Sequence, residues 1–457
     1  YATATPDGRF LVLNIEDGYL TNALYYQRLG TAGASSPVMK LLDTWDARYD
    51  FLGADGDTFY LLTTMNAPRG RVIAVDLARP APARWREVVP EQADAIEAAA
   101  LIGGRIVVQF IHDVSARLQL FALDGTAAGE VRLPGQGSVA DLRGVPGDLE
   151  GFLTYTDFTV PRRVYRLDVR TAALTGLGPD RAQDPGRFVT EQVFFASRDG
   201  TRVPMTIVRR RDVRADGNAP TVLYGYGGFN VALLPAYSAS RMAWIEAGGI
   251  YAQANLRGGG EYGEEWHQAG TLLAKQNVFD DFAAAAEWLI ANHYTSPRHL
   301  AIWGGSNGGL LVGAVLNQRP DLFAAAVPSV GVMDMLRYQT ASLNARKWSS
   351  DYGLSDNRAE FKALRAYSPY HNIRSGLCYP PVLVQADAKD DRVLAWHSYK
   401  YAAALQDAQS AVPGCGNPVL IRIETRSGHG AGQSLSKTIN EYADQWTFVA
   451  AATGLRQ

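Results

Sequence analysis

Two successive patterns of apolar and polar positions divide the 457-residue chain. As far as Gly176, short runs of alternating apolar and polar residues, the signature of half-buried strands, are separated by turn residues. These runs repeat. Asp7-Gly-Arg-Phe-Leu-Val-Leu, Asp55-Gly-Asp-Thr-Phe-Tyr-Leu, Gly103-Gly-Arg-Ile-Val-Val and Pro146-Gly-Asp-Leu-Glu-Gly-Phe start 48, 48 and 43 residues apart, and a second series around Asp76, Asp124 and Asp168 keeps step. Each unit has room for four short strands, the period of a β-propeller blade, which predicts four blades. The plainer alternative is a set of unrelated hairpins in a sandwich, because the repeat is weak in sequence.

After the stretch Gly176-Leu-Gly-Pro-Asp-Arg-Ala-Gln-Asp-Pro-Gly186 the pattern changes. The apolar runs PTVLYGYGG, IYAQANLRGGG, HLAIWGG, FAAAVPSVG, PPVLVQAD and PVLIRIET alternate with helical stretches such as VFDDFAAAAEWLIANH. Such alternation predicts a doubly wound, mostly parallel sheet with helices on both faces. The expected division is residues 1–178 as propeller blades and 179–457 as the α/β domain, two domains being the default at 49.6 kDa.

A net charge of −2 with 20% charged and 47% hydrophobic residues leaves no nucleic-acid footprint and no disordered composition. No apolar run is long enough to span a bilayer, and the first residues lack a signal-peptide pattern, so the chain reads as soluble, without nucleic-acid or membrane partners. It opens on Tyr1 in mid-pattern, and an N-terminal portion is expected to precede it. Cys378 and Cys415 each lie three residues before the proline that opens an apolar strand. Two unpaired thiols are the plain reading. A bridge becomes possible if those strands are parallel neighbours in register, and it would imply an oxidising compartment, the bacterial periplasm rather than the cytoplasm.

The chemistry centres on Leu300-Ala-Ile-Trp-Gly-Gly-Ser306-Asn-Gly-Gly-Leu310. A short apolar strand, the spacing Gly304-x-Ser306-x-Gly308 and a following helical pattern fit a turn that exposes a nucleophilic serine; side chains two residues to either side would clash. An ordinary glycine turn is the alternative for this motif alone. A serine hydroxyl needs a base oriented by a carboxylate. Among seven histidines, His429 follows the last long strand in the small-residue loop Ser427-Gly-His-Gly-Ala-Gly432. His293, His299 and His397 read as surface or packing residues, and His267 and His371 as loop residues. In the order Ser, Asp, His, the acid should follow the strand PPVLVQAD, where Asp387, Asp390 and Asp391 are all open on spacing. The Asn307 N–H is one donor for an oxyanion, and Tyr226 in Tyr224-Gly-Tyr-Gly-Gly-Phe229 can offer a second. Arg392 is a substrate contact or a surface ion pair. Arg257-Gly-Gly-Gly lacks the spacing of a dinucleotide site, and no metal-ligand cluster stands out, so neither cofactor nor metal is expected.

YGYGGFN (224–230), NLRGGGEYGEEWH (255–267), KQNVFDDF (275–282), GGSNGGLL (304–311), NQRPDLF (317–323), VGVMDML (330–336), DDRV (390–393) and GHGAG (428–432) together resemble the prolyl oligopeptidase family of serine peptidases. Asn307 separates the chain from the oligopeptidase B branch, which usually has alanine there. The resemblance implies an α/β-hydrolase domain with a propeller cap, and Ser306, Asp390 and His429 as nucleophile, acid and base. It further implies an oxyanion site of Tyr226 and Asn307, Arg392 on a substrate carbonyl, and Trp348 stacked on a substrate proline among Phe229, Val332, Tyr352 and Val393. From the residues alone these apolar side chains read as core. The implied activity is cleavage of short proline-containing peptides after proline, by a monomer. An oligopeptidase of other specificity or an esterase is the rival enzyme, and a silent propeller scaffold binding proteins the non-enzyme rival. The family's propeller has seven blades, so about three blades and the N-terminal segment are expected to be missing from this sequence.

Overall fold

The computed structural model describes all residues except 17, 31–35, 179–185, 343, 431 and 456–457. They form two compact units. One comprises Tyr1–Gln183, Leu234–Tyr237 and Gly260–Glu265, and the other Asp184–Leu233, Ser238–Gly259 and Trp266–Gln457. The first crossing thus falls within the undescribed stretch that adjoins the boundary expected at residue 178. Two short returns to the first unit are held by ordinary polar bonds: Ser138 Oγ donates to the Pro235 carbonyl (2.6 Å) and Glu264 N to the Pro68 carbonyl (2.7 Å). Such backbone partners leave no mark in a sequence.

The first unit contains four antiparallel sheets of four strands, each formed by strands consecutive in the chain. They run from Ala2 to Leu42, Tyr49 to Val89, Ala95 to Val131 and Ser138 to Gly176. Hydrophobic clusters lie between successive sheets rather than within one sandwich. Leu61 of the second sheet packs in a cluster with Phe10 and Leu24 of the first, and Leu118 and Leu120 of the third pack with Leu153 and Leu167 of the fourth. In the strand Ser115–Ala122 the buried Ala116, Leu118 and Leu120 alternate with half-exposed Arg117 and Gln119, the period that lets one strand serve a core and a surface. These are stacked blades.

The second unit is built on one eight-stranded sheet. Its strands are β1 (Phe188–Ala196), β2 (Arg202–Arg210), β3 (Thr221–Tyr224), β4 (Ile250–Ala254), β5 (Leu300–Gly305), β6 (Ala325–Ser329), β7 (Val382–Asp387) and β8 (Val419–Glu424), in the spatial order β1-β2-β4-β3-β5-β6-β7-β8. From β4 to β8 all pairs are parallel. The six apolar runs picked out in the sequence are these six parallel strands. β4 and β7 are buried along their whole length, so both faces are covered and they read as continuous apolar runs, whereas β8 at the sheet edge is only partly buried. The antiparallel hairpin β1–β2 has no such run in its first strand, which is mostly half-buried. Helices Gln276–Ala291, Asn307–Gln318, Trp396–Ser410 and Leu435–Thr453 complete the α/β arrangement.

A buried ionic clamp ties the β1–β2 turn to the sheet. The Arg257 guanidinium donates to Asp281 Oδ1 (2.6 Å) and Asp199 Oδ2 (2.5 Å), while Ser197 Oγ donates to Asp281 Oδ1 (2.5 Å). Asp281 is fully buried and Arg257 nearly so. The Arg257-Gly-Gly-Gly run is therefore the anchor of a structured loop. Pro381 and Pro418 open strands that pair in parallel, with Val382 opposite Val419. Cys378 and Cys415, just before them, are joined as a disulfide with Cα atoms 5.6 Å apart, so the plain reading of two thiols gives way.

Removing one member of a buried ion pair strands its partner in low dielectric. Asp281→Ala is expected to lower the unfolding free energy by about 3–5 kcal/mol in urea denaturation. Asp199→Ala, whose carboxylate is half exposed, should cost under about 1 kcal/mol.

Candidate active site

Ser306 stands between β5 and the helix Asn307–Gln318 with φ 58° and ψ −118°, a conformation that L residues avoid. The turn is closed by Gly309 N and Leu310 N donating to the Ser306 carbonyl (2.9 and 3.1 Å). A Cβ on Gly304 would sit 2.4 Å from the Gly308 carbonyl oxygen, and one on Gly308 2.7 Å from the Gly225 carbonyl oxygen. Both positions exclude side chains, as the motif requires. The Ser306 side chain is left half exposed, and Asn307 begins the helix with its N–H among the free donors of the first turn.

β5, β7 and β8 are parallel, so the loops following them emerge at one edge of the sheet. Ser306 follows β5. Asp390 follows β7, and its Oδ2 lies 2.5 Å from His429 Nδ1 in the loop after β8. Asp390 Oδ1 accepts from the N–H groups of Arg392 (2.9 Å) and Val393 (2.8 Å), which fixes the carboxylate's orientation. The three aspartates that spacing could not separate have different surroundings. Asp387 is buried and accepts from Ser427 Oγ (2.9 Å) and Gly430 N (3.3 Å), bracing the His429 loop from both sides, while Asp391 is exposed. Only Asp390 meets the imidazole. Among the described residues no hydrogen bond joins Ser306 Oγ to His429. The Arg392 side chain is exposed.

Asn307 draws the turn 225–230 against the serine turn. Its Nδ2 donates to the Tyr226 carbonyl (2.6 Å), and the Tyr352 hydroxyl donates to its Oδ1 (2.8 Å). Burial pushes the Tyr352 phenol well above its ordinary range, so it remains a donor. The Tyr226 ring lies beside Gly308, its Cδ2 3.6 Å from where a Cβ would stand. Phe229 meets Tyr352 edge to face (centroids 5.3 Å apart), Tyr352 meets Tyr338 likewise (5.3 Å), and Tyr338 stacks on Trp348 (6.2 Å). Val332 and Val393 belong to the same buried cluster. Phe229, Tyr352 and Trp348 are thus joined in one aromatic chain through Tyr338, with Tyr352 bonded to the serine's neighbour Asn307. Tyr338, which links two of them, was not singled out in the sequence.

Two charged residues, Lys275 and Asp351, were not singled out in the sequence, and a third residue, His267, was read there as a loop residue. Lys275 is buried, its Nζ 2.9 Å from the Gly227 carbonyl, which accepts from it, and 5.4 Å from the Tyr352 ring centre. Asp351 Oδ1 accepts from Phe229 N (2.6 Å) and lies 3.3 Å from His267 Nε2. His267 is buried on the short helix Glu264–Gln268, which corrects its reading as a loop residue. Burial pushes the Lys275 ammonium down to about 8, with the Asp351 carboxylate acting the other way. A lone lysine ahead of a helix reads as exposed, and the KQNVFDDF motif was the only signal available.

A serine held at positive φ on a strand-to-helix turn, with an Asp–His pair at the same sheet edge, defines the α/β-hydrolase class, here in a chain that also carries propeller blades. Residues 235–456 match the prolyl oligopeptidase family, and residues 1–178 match the N-terminal beta-propeller domain of prolyl oligopeptidase. The prolyl endopeptidase of Elizabethkingia meningoseptica is 38% identical over 457 residues, covering 100% of this chain and 64% of that protein. A solved structure from a study of two prolyl endopeptidases and inter-domain dynamics superimposes with a TM-score of 0.93 at 41% identity, covering 100% of this chain and 66% of that one. Prolyl oligopeptidase B from Galerina marginata, bound to a 35mer hydrolysis and macrocyclization substrate, gives a TM-score of 0.93 at 33% identity, covering 100% of this chain and 65% of the other. The chain belongs to the prolyl oligopeptidase family. It spans just under two thirds of the length of these relatives.

The Asp390–His429 bond is expected to give a downfield imidazole Nδ1–H resonance in the proton NMR spectrum. Asp390→Ala should abolish that resonance, and Asp391→Ala should leave it in place.

Proposed function

We propose that the chain is a serine endopeptidase that hydrolyses short peptides on the carboxyl side of proline through an acyl-enzyme, acting as a monomer. The observation that carries this reading is the Asp390–His429 bond at the sheet edge that also bears Ser306 at positive φ. In this mechanism His429 Nε2 takes the Ser306 proton as Oγ attacks the scissile carbonyl. Asp390 holds the Nδ1–H tautomer and balances the imidazolium. The tetrahedral oxyanion accepts from the Asn307 N–H and the Tyr226 hydroxyl. His429 then passes its proton to the leaving amine, and water, deprotonated by the same imidazole, releases the acyl group.

Selectivity for proline is assigned to the apolar cluster. A pyrrolidine ring offers a flat, rigid, apolar face, which suits an aromatic wall such as Trp348 with Phe229, Val332, Tyr352 and Val393 around it. In this reading Arg392, whose side chain is exposed, donates to a substrate carbonyl. The endopeptidase and oligopeptidase relatives support this reading, and the Cys378–Cys415 bond favours an oxidising compartment such as the periplasm. Among the described residues no helix is long and apolar enough to cross a membrane.

A panel of proline, alanine, arginine and ester substrates tests the proposal. The proline anilide should lose most of its kcat/KM when alanine replaces proline; equal turnover of the arginine or ester substrate would overturn the specificity. Ser306→Ala should abolish turnover and labelling by a serine-reactive phosphonate while the melting temperature holds. Tyr226→Phe should lower kcat by about 10²- to 10³-fold, with KM little changed.

A further inference from the structure

The turn that carries Tyr226 is strained, and the mechanism above does not say what holds it. Gly227, Phe229 and Asn230 have φ of 65°, 59° and 56°, a conformation that the two side-chain-bearing residues adopt only with strain. Conformations of that kind persist only where the surroundings over-determine them. The outside groups bonded to this turn include Asn307 Nδ2 on the Tyr226 carbonyl, Lys275 Nζ on the Gly227 carbonyl, Asp351 Oδ1 on the Phe229 N–H, and the Gly258 carbonyl on the Asn230 N–H. Asn307 belongs to the serine turn itself. Lys275 and Asp351 have no assigned part in the reaction.

A buried ammonium is costly, and Lys275 is the only buried lysine among the described residues. An aliphatic side chain of equal length would fill the same space without that cost, so packing alone does not account for the charge. Its one hydrogen bond goes to the carbonyl between Tyr226 and Gly228, where a charge-assisted bond is worth roughly twice a neutral one. The turn cannot shift to make up for its loss in one direction, since a Cβ on Gly227 would already stand 2.3 Å from Val278 Cγ1.

We propose that Lys275 is a positioning residue for the reaction: its ammonium, donating to the Gly227 carbonyl, locks the turn so that the Tyr226 hydroxyl is aimed where the oxyanion forms. Asp351 completes the lock two residues further on, by accepting from the Phe229 N–H. The groups facing Lys275 are the Asp351 carboxylate and Tyr352 ring of the helix Ser349–Tyr352, and the Gly227 carbonyl. Around Asp351 stand His267 and the Tyr338 and Tyr367 phenols. This proposal rests on the peptidase reading and adds to it a device for the oxyanion donor.

The test is a double-mutant cycle of Lys275→Met and Tyr226→Phe on the full chain, read with a proline anilide. Lys275→Met alone should lower kcat about 10- to 100-fold with KM changed less than about threefold, because a misaimed donor fails in the transition state. The double variant should be little slower than Tyr226→Phe alone. Multiplying effects, or an unchanged kcat in Lys275→Met, would overturn the proposal. In the wild type, kcat should step down to a lower plateau as pH rises through about 8, where the ammonium is lost, and the step should be absent in Lys275→Met. A wild-type profile flat from pH 7 to 10 would also overturn it, and this measurement needs no variant to fold. Amide hydrogen exchange at residues 226–230 needs no turnover. It should accelerate in Lys275→Met, and unchanged protection would sink the positioning role. A wild type that cleaves no proline anilide would instead refute the peptidase reading and leave exchange to decide the lock.

Discussion

The active edge depends on one steric fact: three backbones meet at Ser306 with no room for a Cβ between them. Gly304 lies against the carbonyl of Gly308, and Gly308 against that of Gly225. This contact forces the serine to positive φ, lifts its hydroxyl clear of the helix that follows, and brings the 225–230 turn within hydrogen-bond reach of Asn307. Any side chain at Gly304 or Gly308 would separate strands β5 and β3 at their ends. The serine turn and the 225–230 turn beside it are thus products of the same close approach.

Around that approach the sheet distributes charge with little exposure. Parallel strands deliver Asp387 and Asp390 to the same edge, yet the two carboxylates have separate partners: Asp387 braces the loop of His429 through Ser427 and Gly430, and Asp390 meets the ring. Each is satisfied by hydrogen bonds, as buried carboxylates must be. On the far side of the sheet order, Arg257 and Asp281 follow the same rule in a purely structural setting. Buried ions here fix the geometry of loops whose backbone has no strand or helix to hold it.

The aromatic cluster illustrates how apolar packing and polar bonds share residues. Tyr352 touches Phe229 and Tyr338, donates to Asn307 and lies over Lys275, so one phenol joins the apolar wall, the serine turn and the lysine. A change at such a position affects the apolar packing and the serine turn together. By contrast Asp391 and the Arg392 side chain, in the same loop, are exposed.

Much of this was legible in the chain itself. Period-two alternation gave the blades, continuous apolar runs gave the six parallel strands, and the glycine spacing gave the serine turn, because each rests on local sterics or on burial of a face within a few residues. The in-register prolines after Cys378 and Cys415 were visible too, although whether the sulfurs met depended on the pairing of β7 with β8. The contact with His429 that distinguishes Asp390 from Asp387 and Asp391, the burial of His267, and the lysine under the 225–230 turn are visible only in the tertiary structure. Those depend on distances between groups some 40 to 80 residues apart, such as Asp390 to His429, Lys275 to Gly227 and His267 to Asp351. No local pattern encodes which carboxylate or carbonyl a distant side chain will find once the sheet has closed.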